Sequence, residues 1–263
     1  MTTMEELLLT AVSIARSAGQ LAKEKWGQPL EMTSKGFRDI VTDADIAVQK
    51  QITDAIRAEF PDHGFLTEEE DSDLPATGSI IWVIDPIDGT TSYSHNLPLF
   101  CISIAAISSF GEQLIGVVYD PMRDEMFTAI RGKGAWLNGR SLQVSKVDTL
   151  DDAVLALDWS SAPALRRRTL DILSELGEHV RTIRAIGTAA LAMAWLAAGR
   201  LDCFFNLNIK PWDVAAATLI VLEAGGIATY PNGTPMLWAN VDDGVVVSNG
   251  RFHDELCEYV SSE

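Results

Sequence analysis

Cysteine is scarce in this chain of 263 residues, which contains three cysteines and no CxxC pair. Cys101, Cys203 and Cys257 are far apart in the sequence. This spacing argues against both a disulfide framework and a zinc site. Because Cys101 and Cys203 lie in apolar stretches, we expect them to be buried thiols that contribute to packing.

Long hydrophobic runs are also missing. The longest largely apolar stretches, residues 7–15 and 189–198, fall short of the roughly 18–20 residues that a membrane span requires. Glu5 and Glu6 stand where a signal peptide would carry positive charge. Residues 4–26 are therefore predicted to form an amphipathic helix, and we expect a cytoplasmic protein without a membrane partner.

Positive charge is in short supply, with 20 Lys and Arg against 37 Asp and Glu and a formal net charge of −17. A negative field of this size disfavours binding to nucleic acid and to anionic membranes. An anionic substrate would need a local reversal of that field. Bound divalent cations are the usual way to provide one.

Hydrophobic residues make up 47% of the chain, enough for one large or two compact globular units. The first half contains two segments with the hydrophobic periodicity of a helix, followed by short strand-like runs and an Asn138-Gly139 hairpin turn. This pattern predicts an antiparallel sheet packed against two helices. The predicted helices are residues 4–26 and 44–59, and the predicted strands are 64–67, 79–84, 100–107, 114–119, 125–130, 135–137 and 141–144.

The pattern changes after the polar segment 145–152, where strands and helices begin to alternate. Alternation of this kind predicts an α/β layer. We therefore predict an N-terminal α+β part, residues 1–148, and a C-terminal α/β part, residues 149–263. The C-terminal strands are predicted at 154–157, 180–186, 202–207 and 245–248, with helices at 164–176, 188–198, 212–224 and 252–260.

The sequence "WVIDPIDGTTSYSHNLPLF" places two carboxylates directly after a predicted buried strand, residues 80–84. Asp85 and Asp88 would repel each other at the end of this strand unless a cation or a proton lay between them. Oxygen ligands of this kind suit Mg²⁺. Gly89 permits close approach to a ligand, and Thr90 and Thr91 are predicted to cap a short helix that begins near residue 92 and could bind phosphate. The motif alone is equally compatible with a solvated turn.

Further carboxylates occur in similar settings. Asp39, Asp43 and Asp45 precede a predicted helix, the Glu triplet 68–70 follows a predicted strand, and Asp213 begins an apolar helix. Taken one at a time, a Glu triplet is typical of a solvated loop and an Asp before a helix is typical of an N-cap. Together they suggest a shared oxygen-rich site.

Four motifs in this order, "DIVTDAD", "TEEE", "WVIDPIDGTTSY" and "KPWDVAAATLIVLEAGG", resemble those of the inositol monophosphatase family. This family belongs to the wider lithium-sensitive, Mg²⁺-dependent phosphatases, which include fructose-1,6-bisphosphatases. The resemblance extends from about Asp39 to Gly226. It implies a layered α/β/α/β/α sandwich, with the active site between the two halves, and a homodimer.

The resemblance also implies a set of metal ligands. Glu68, Asp85 and the carbonyl of Ile87 would hold one Mg²⁺, and Asp85, Asp88 and Asp213 would hold a second. Glu68 would also help to bind a weaker third ion. Two or three Mg²⁺ per site would activate water, neutralise the phosphoryl oxygens and stabilise the leaving alkoxide.

By the same resemblance, the backbone of Gly89 and Thr90 would bind phosphate oxygens, and Asp45 with Thr90 would orient or deprotonate the attacking water. The implied catalytic residues are thus Asp45, Glu68 and Thr90. The implied substrate-binding residues are Ile87, Asp88, Gly89, Thr90, Gly187, Thr188, Ala189, Asn206 and Asp213.

The chain departs from the family pattern at two positions. Thr67 replaces a Gly before the Glu triplet, which need not harm metal binding, and the main departure is at residue 206. Asn206 stands where animal inositol monophosphatases carry a Glu that hydrogen-bonds ring hydroxyls, and Asn has no charge. A helix N-cap is an equally good interpretation of Thr188. The sequence therefore favours a Mg²⁺-dependent phosphomonoesterase acting on a small phosphorylated polyol or sugar, with inositol monophosphate first among the substrates.

Two alternatives stay open. The same chemistry could act on fructose 1,6-bisphosphate, histidinol phosphate or 3′-phosphoadenosine 5′-phosphate. The chain could instead be a catalytically silent, metal- or phosphate-binding regulator. The presence of the complete carboxylate and threonine set argues against this second alternative.

Overall fold

The computed structural model describes residues 2–36, 39–69 and 80–261. Glu70, residue 79 of the predicted strand 79–84 and the side chain of Asp39 lie outside the described residues. The helices α1 to α7 are, in order, Met4–Lys25, Asp43–Glu59, Thr90–Ser94, Pro163–Leu176, Ala189–Ala197, Pro211–Glu223 and His253–Ser261. The strands β1 to β14 are, in order, Met32–Gly36, Asp39–Thr42, Gly64–Thr67, Ile81–Asp88, Cys101–Ile107, Gln113–Asp120, Glu125–Ile130, Gly134–Leu137, Arg140–Ser141, Val154–Leu157, Thr182–Ala185, Cys203–Asn206, Ile227–Thr229 and Val245–Ser248.

Most of the strands form two sheets. The larger has seven strands in the order β3-β4-β5-β6-β7-β8-β9, with β3 parallel to β4 and all other pairs antiparallel. The smaller has five strands in the order β11-β10-β12-β14-β13, and β10 is parallel to both of its neighbours. Parallel neighbours need crossover connections, here provided by α4 and α5.

Three hydrophobic clusters separate the layers. The first joins α1 and α2 to one face of the seven-stranded sheet, for example through Leu7, Ile52 and Trp82. The second fills the space between the two sheets with α5 and α6. The third packs α4 and α7 on the outer face of the five-stranded sheet. The predicted α/β/α/β/α sandwich is confirmed, whereas the division at residue 148 stays a prediction about folding units.

Several local predictions were incomplete. The predicted antiparallel sheet contains one parallel pair, β3 with β4, and β9 covers Arg140–Ser141 rather than the predicted 141–144. Strand β4 runs to Asp88, beyond its predicted end, and the short strands β1, β2 and β13 were not predicted. These three strands have few apolar residues or only three residues, so they carry little periodic signal. All three cysteines are buried thiols, as the apolar surroundings of Cys101 and Cys203 predicted. Within the described ranges, no helix is long and apolar enough to span a bilayer.

Gly116 on β6 allows α6 to lie close to the seven-stranded sheet. A Cβ atom at this position would lie 2.5 Å from the carbonyl oxygen and 3.1 Å from the Cα of Ala216 on α6. Gln113 holds the same helix, since its Nε2 donates to the Ala215 carbonyl at 2.7 Å and to Thr218 Oγ1 at 2.9 Å. The position of α6 therefore depends on the absence of a side chain at residue 116.

We expect Gly116→Ala to lower the free energy of unfolding by about 3 kcal/mol, because the clash is with backbone that cannot rotate away. Urea denaturation measures the change. Gly111→Ala is the control, since nothing lies within 4 Å of its Cβ position. Only the positive φ of 81° opposes this substitution, and we expect it to lower the free energy of unfolding by about 1 kcal/mol. Equal losses in the two variants would show that α6 can shift away from β6.

Candidate active site

Strand β4 carries two of the site's carboxylates. Asp85 pairs with Ser103 and Asp88 with Cys101 on β5, with a register irregularity between them. The prediction that Asp85 ends the strand was therefore wrong, because the strand resumes after Pro86, which has no N–H to donate to the ladder. The backbone N–H of Ile87 donates to Asp85 Oδ1 at 3.1 Å, which holds this carboxylate at the irregularity.

A third carboxylate comes from the start of α6. The backbone N–H of Lys210 donates to Asp213 Oδ2 at 2.9 Å, so Asp213 is fixed within the first turn of the helix. One carboxylate oxygen each from Asp85, Asp88 and Asp213 lies within 4.8 Å of the others. Among the described residues, this is the group with a geometry able to hold a metal ion.

The electrostatics of this cluster fit a hard divalent cation. Burial, followed by the charges of Glu68, Asp88 and Asp213, raises the pKa of Asp85 well above its usual range. Burial and the charge of Asp88 likewise raise the pKa of Asp213. Glu68 follows β3, and its backbone N–H donates to the Ile84 carbonyl at 3.2 Å. Clustered carboxylate oxygens that resist ionisation in the absence of a counter-charge are suitable Mg²⁺ ligands.

Asp88 is joined to the N-terminus of α5, a hundred residues further along the chain. Its Oδ2 accepts hydrogen bonds from Thr188 Oγ1 at 2.5 Å and from the Ala190 backbone N–H at 2.7 Å. Thr188 is also the N-cap of α5 and accepts from the Leu191 N–H, which confirms the N-cap interpretation, whereas its contact with substrate stays a prediction. The Cys101 thiol lies 3.8 Å from the same Asp88 oxygen, a contact that sequence reasoning missed.

Asp45 on α2 and Thr90 on α3 form a second polar group next to the end of β4. Thr90 Oγ1 is 3.0 Å from Asp45 Oδ1 and 3.1 Å from the Ile87 carbonyl oxygen. The other oxygen of Asp45 accepts from the N–H and the hydroxyl of Thr42, at 2.8 and 2.5 Å. Burial raises the pKa of Asp45, while these hydrogen bonds oppose the rise.

Gly89 directly precedes the short helix α3. The prediction that Thr90 and Thr91 cap a helix starting near residue 92 was wrong, because the helix starts at Thr90 and Gly89 is the N-cap. Gly89 has a φ of 98°, and a Cβ atom there would lie 2.8 Å from the Leu99 carbonyl oxygen and 3.1 Å from that of Gly187. Glycine is required both for this conformation and for this close approach.

The carboxyl ends of β10 and β12 add two more polar side chains. Asn206 is buried, and its Oδ1 accepts from the Asn208 N–H at 2.8 Å. Asp158 follows β10, and its Oδ1 accepts from the Gly187 N–H at 2.6 Å. Burial and then the charge of Asp88 raise the pKa of Asp158 to about 8. Sequence reasoning missed Asp158, although its place directly after a predicted strand was an available signal.

Comparison with known proteins agrees with this geometry. The inositol monophosphatase family model matches residues 3–263. The chain belongs to the inositol monophosphatase family. Nus factor SuhB of Escherichia coli K12 is 42% identical over 264 residues, covering 97% of this chain and 98% of that protein. Fructose-1,6-bisphosphatase/inositol-1-monophosphatase of Thermotoga maritima is 37% identical over 253 residues, covering 95% and 94%.

Solved structures of this family share the fold. The extragenic suppressor protein SuhB of Bartonella henselae superposes with a TM-score of 0.92 at 34% identity, covering 97% of this chain and 98% of that one. The inositol monophosphatase of Thermotoga maritima superposes with a TM-score of 0.86 at 36% identity, covering 95% and 94%. The inositol monophosphatase family is Mg²⁺-dependent, which agrees with the clustered carboxylates of this member.

We expect Mg²⁺ to stabilise this family member more at pH 8 than at pH 5.5. At a Mg²⁺ concentration about ten times its dissociation constant, binding raises the free energy of unfolding by about 1.4 kcal/mol. For a chain of this size, this raises the midpoint of thermal unfolding by about 3–6 °C. The raised pKa values of Asp85 and Asp213 mean that protons compete with the metal as the pH falls. Thermal unfolding with MgCl₂, against NaCl at equal ionic strength, measures this shift. An equal or larger shift at pH 5.5 would contradict the expectation.

Proposed function

We propose that this protein is a Mg²⁺-dependent phosphomonoesterase that acts on a small phosphorylated polyol or sugar, with inositol monophosphate as the first substrate to test. The observation that carries the proposal is the cluster of Asp85, Asp88 and Asp213, whose ligand oxygens lie within 4.8 Å of one another. The hydrogen-bonded Asp45–Thr90 pair is attached to the same strand end through the Ile87 carbonyl. Metal ligands and a water-orienting pair are the two parts that hydrolysis by metal-activated water needs.

Glu68, Asp85 and the Ile87 carbonyl would hold one Mg²⁺, and Asp85, Asp88 and Asp213 a second, with Glu68 assisting a third. When bound, these ions would neutralise the phosphoryl oxygens and lower the pKa of water. Their charge would also reverse the negative field of a chain whose net charge is −17, so that an anionic substrate could approach.

The chain's own groups would orient the reactants. The backbone N–H groups of Gly89 and Thr90 would bind phosphate oxygens, in a conformation set by the positive φ of Gly89. Thr90 Oγ1 would accept a proton from the attacking water and donate its own to Asp45, whose second oxygen Thr42 holds in place. Asp45 is the group able to take up the proton, because burial raises its pKa.

The leaving group would lie against Gly187, Thr188 and Ala189, which the Thr188–Asp88 hydrogen bond joins to the metal cluster. Asn206 would contact a hydroxyl of the polyol through its amide nitrogen, because Asn208 already occupies its Oδ1. An uncharged amide at this position suits neutral hydroxyls and does not select strongly among polyols. The substrate could therefore also be fructose 1,6-bisphosphate, histidinol phosphate or 3′-phosphoadenosine 5′-phosphate.

A second candidate function is that of a regulator without phosphatase activity. It is supported by the name of the Escherichia coli relative, a Nus factor, at 42% identity. A cytoplasmic location and the absence of a nucleic acid partner stay predictions, the latter based on the charge of −17. A homodimer is proposed from the family resemblance, and light scattering of the purified protein measures it.

The deciding experiment is phosphate release at neutral pH, with and without Mg²⁺, from a panel of substrates. The panel contains myo-inositol 1-phosphate, glycerol 2-phosphate, fructose 1,6-bisphosphate, histidinol phosphate and 3′-phosphoadenosine 5′-phosphate. Mg²⁺-dependent release led by inositol phosphate supports the proposal. Release led by another compound makes Asn206 and its neighbours the specificity site. No release while calorimetry records Mg²⁺ binding supports the regulator.

We further expect millimolar Li⁺ and Ca²⁺ to inhibit the Mg²⁺-dependent activity, as the resemblance to lithium-sensitive phosphatases implies. Ca²⁺ prefers more ligands and longer bonds than Mg²⁺, so it would occupy the carboxylates in an unproductive geometry. The rate of phosphate release at fixed Mg²⁺ measures both effects, with Na⁺ and K⁺ salts as controls. An enzyme indifferent to both ions would contradict the assignment to this branch of phosphatases.

A further inference from the structure

Asp158 lies beside the proposed site without belonging to the metal, phosphate or water groups. It follows the last residue of β10, and the parallel register of that strand pairs Leu157 with Ala185 on β11 and with Phe205 on β12. One residue further on, Asp158 is therefore a lateral neighbour of Ile186 and Asn206. The carboxyl ends of neighbouring parallel strands are where α/β sheets place ligand-binding groups.

The two oxygens of Asp158 have different surroundings. Oδ1 accepts from the Gly187 N–H at 2.6 Å. Oδ2 is shielded from solvent and has no hydrogen-bond partner among the described residues. An unpartnered buried polar atom costs about 1–3 kcal/mol, and Asp158 also feels the negative charge of Asp88. A carboxylate is thus an expensive choice for packing alone at this position.

The loop that Asp158 holds leads directly to Asp88. Gly187 has a φ of 82°, and its carbonyl oxygen is 3.1 Å from the Cβ position of Gly89. Next along the chain, Thr188 donates its hydroxyl to Asp88 Oδ2 at 2.5 Å, and the Ala190 N–H donates to the same oxygen at 2.7 Å. The Cys101 thiol is a third donor to this oxygen, at 3.8 Å, so the hydrogen bonds on Oδ2 favour Oδ1 of Asp88 as the oxygen that would contact a cation.

We propose that Asp158 is a positioning residue: it anchors the Gly187 N–H and thereby fixes the loop whose Thr188 hydroxyl and Ala190 N–H set the orientation of the Asp88 carboxylate. This inference rests on the proposed function, since it assigns Asp88 to a Mg²⁺ site. Loss of the anchor lets the loop relax and leaves Asp88 free to rotate. Groups that orient metal ligands in this way typically contribute about 10–100-fold to metal affinity.

The test compares Asp158→Ala with Asp158→Asn by calorimetric titration of Mg²⁺ into the full-length protein without substrate. Asp158→Ala removes the acceptor for the Gly187 N–H, and we expect its Mg²⁺ affinity to fall about tenfold or more. Asp158→Asn keeps an oxygen acceptor and is expected to stay within about threefold of wild type. Asp148→Ala, at an exposed position, is the control expected to match wild type.

Kinetics provide the second readout. In Asp158→Ala we expect the Mg²⁺ concentration for half-maximal phosphate release to rise in parallel with the dissociation constant, while saturating Mg²⁺ restores most of kcat. Thermal unfolding of each variant shows that it is folded at the assay temperature. If Asp158→Ala does not fold, a tenfold loss of affinity in Asp158→Asn overturns the proposal, and near-wild-type affinity in Asp158→Asn supports it.

The remaining outcomes separate this inference from the proposed function. Unchanged Mg²⁺ affinity in Asp158→Ala, or equal losses in the Ala and Asn variants, overturns the positioning role. If the wild type binds Mg²⁺ but releases no phosphate, the proposed function fails, and the affinities of the variants still decide the role of Asp158. If the wild type does not bind Mg²⁺, both fail.

Discussion

Asp88→Asn is expected to lower kcat for phosphate release at least about a hundredfold. The amide keeps an oxygen that can accept from Thr188 and from the Ala190 N–H, so the contact with α5 survives. The variant loses one of the three negative charges that Asp85, Asp88 and Asp213 would offer to a cation. The defect should therefore lie in metal binding and in the rate at saturating substrate rather than in folding.

Steady-state kinetics across a range of Mg²⁺ concentrations, together with calorimetric Mg²⁺ titration, measure this prediction. Asp148→Asn, on the exposed segment before β10, removes the same charge away from the site and serves as the matched control. Near-normal kcat of Asp88→Asn at saturating Mg²⁺ would remove Asp88 from the proposed second metal site. Normal unfolding with reduced activity would exclude a folding defect as the cause.

Asp45→Asn is expected to lower kcat by about 10²–10⁴-fold, the range for loss of a general base. Mg²⁺ affinity should stay close to that of the wild type, because Asp45 contacts Thr42 and Thr90 rather than the carboxylate cluster. Asp88→Asn and Asp45→Asn thus separate two parts of the site. The first should impair metal binding, and the second should impair the rate after metal is bound.

Thr90 gives this second prediction a matched pair of variants. Thr90→Val keeps the β-branched shape but removes the hydroxyl that lies 3.0 Å from Asp45, and it should approach the loss seen in Asp45→Asn. Thr90→Ser keeps the hydroxyl and should stay within about tenfold of wild type. A fully active Thr90→Val would show that another group orients the attacking water and that the Asp45–Thr90 pair serves packing alone.

Helices and long strands were predictable because their signals are local. A polar N-cap precedes α2, although it is Thr42, which accepts from the Ala44 and Asp45 N–H groups, rather than one of the Asp residues considered for this role. Gly225 follows α6 with a φ of 89°, a conformation that few other residues adopt. The buried strand β4 was evident from its apolar run. These features depend on neighbours within four residues, which the sequence displays directly.

Contacts between segments that are far apart in the sequence were not predictable from composition or from hydrophobic periodicity. The hydrogen bond from Thr188 to Asp88 spans 100 positions, and the one from Gly187 to Asp158 joins a loop to a strand end on another element. The irregularity after Asp85 depends on pairing with β5, which is set by the whole sheet. The family resemblance identified several of these residues. The place of Asp158 after a predicted strand was a signal in the sequence, but its contact with Gly187 depends on β10 and β11 lying side by side.

Asp45 and Asp213 also complete the first turns of their helices. Asp45 accepts from the Thr42 N–H and Asp213 from the Lys210 N–H, so each neutralises a free donor at a helix start. Both residues therefore stabilise the fold even in a homologue that has lost phosphatase activity. Asp85 does not lie at a helix start. It accepts from the Ile87 N–H, but its buried charge opposes folding until a cation binds, as that of Asp213 also does. Among homologues that have lost phosphatase activity and keep only a regulatory role, we therefore expect Asp85 to be substituted before Asp45 and Asp213.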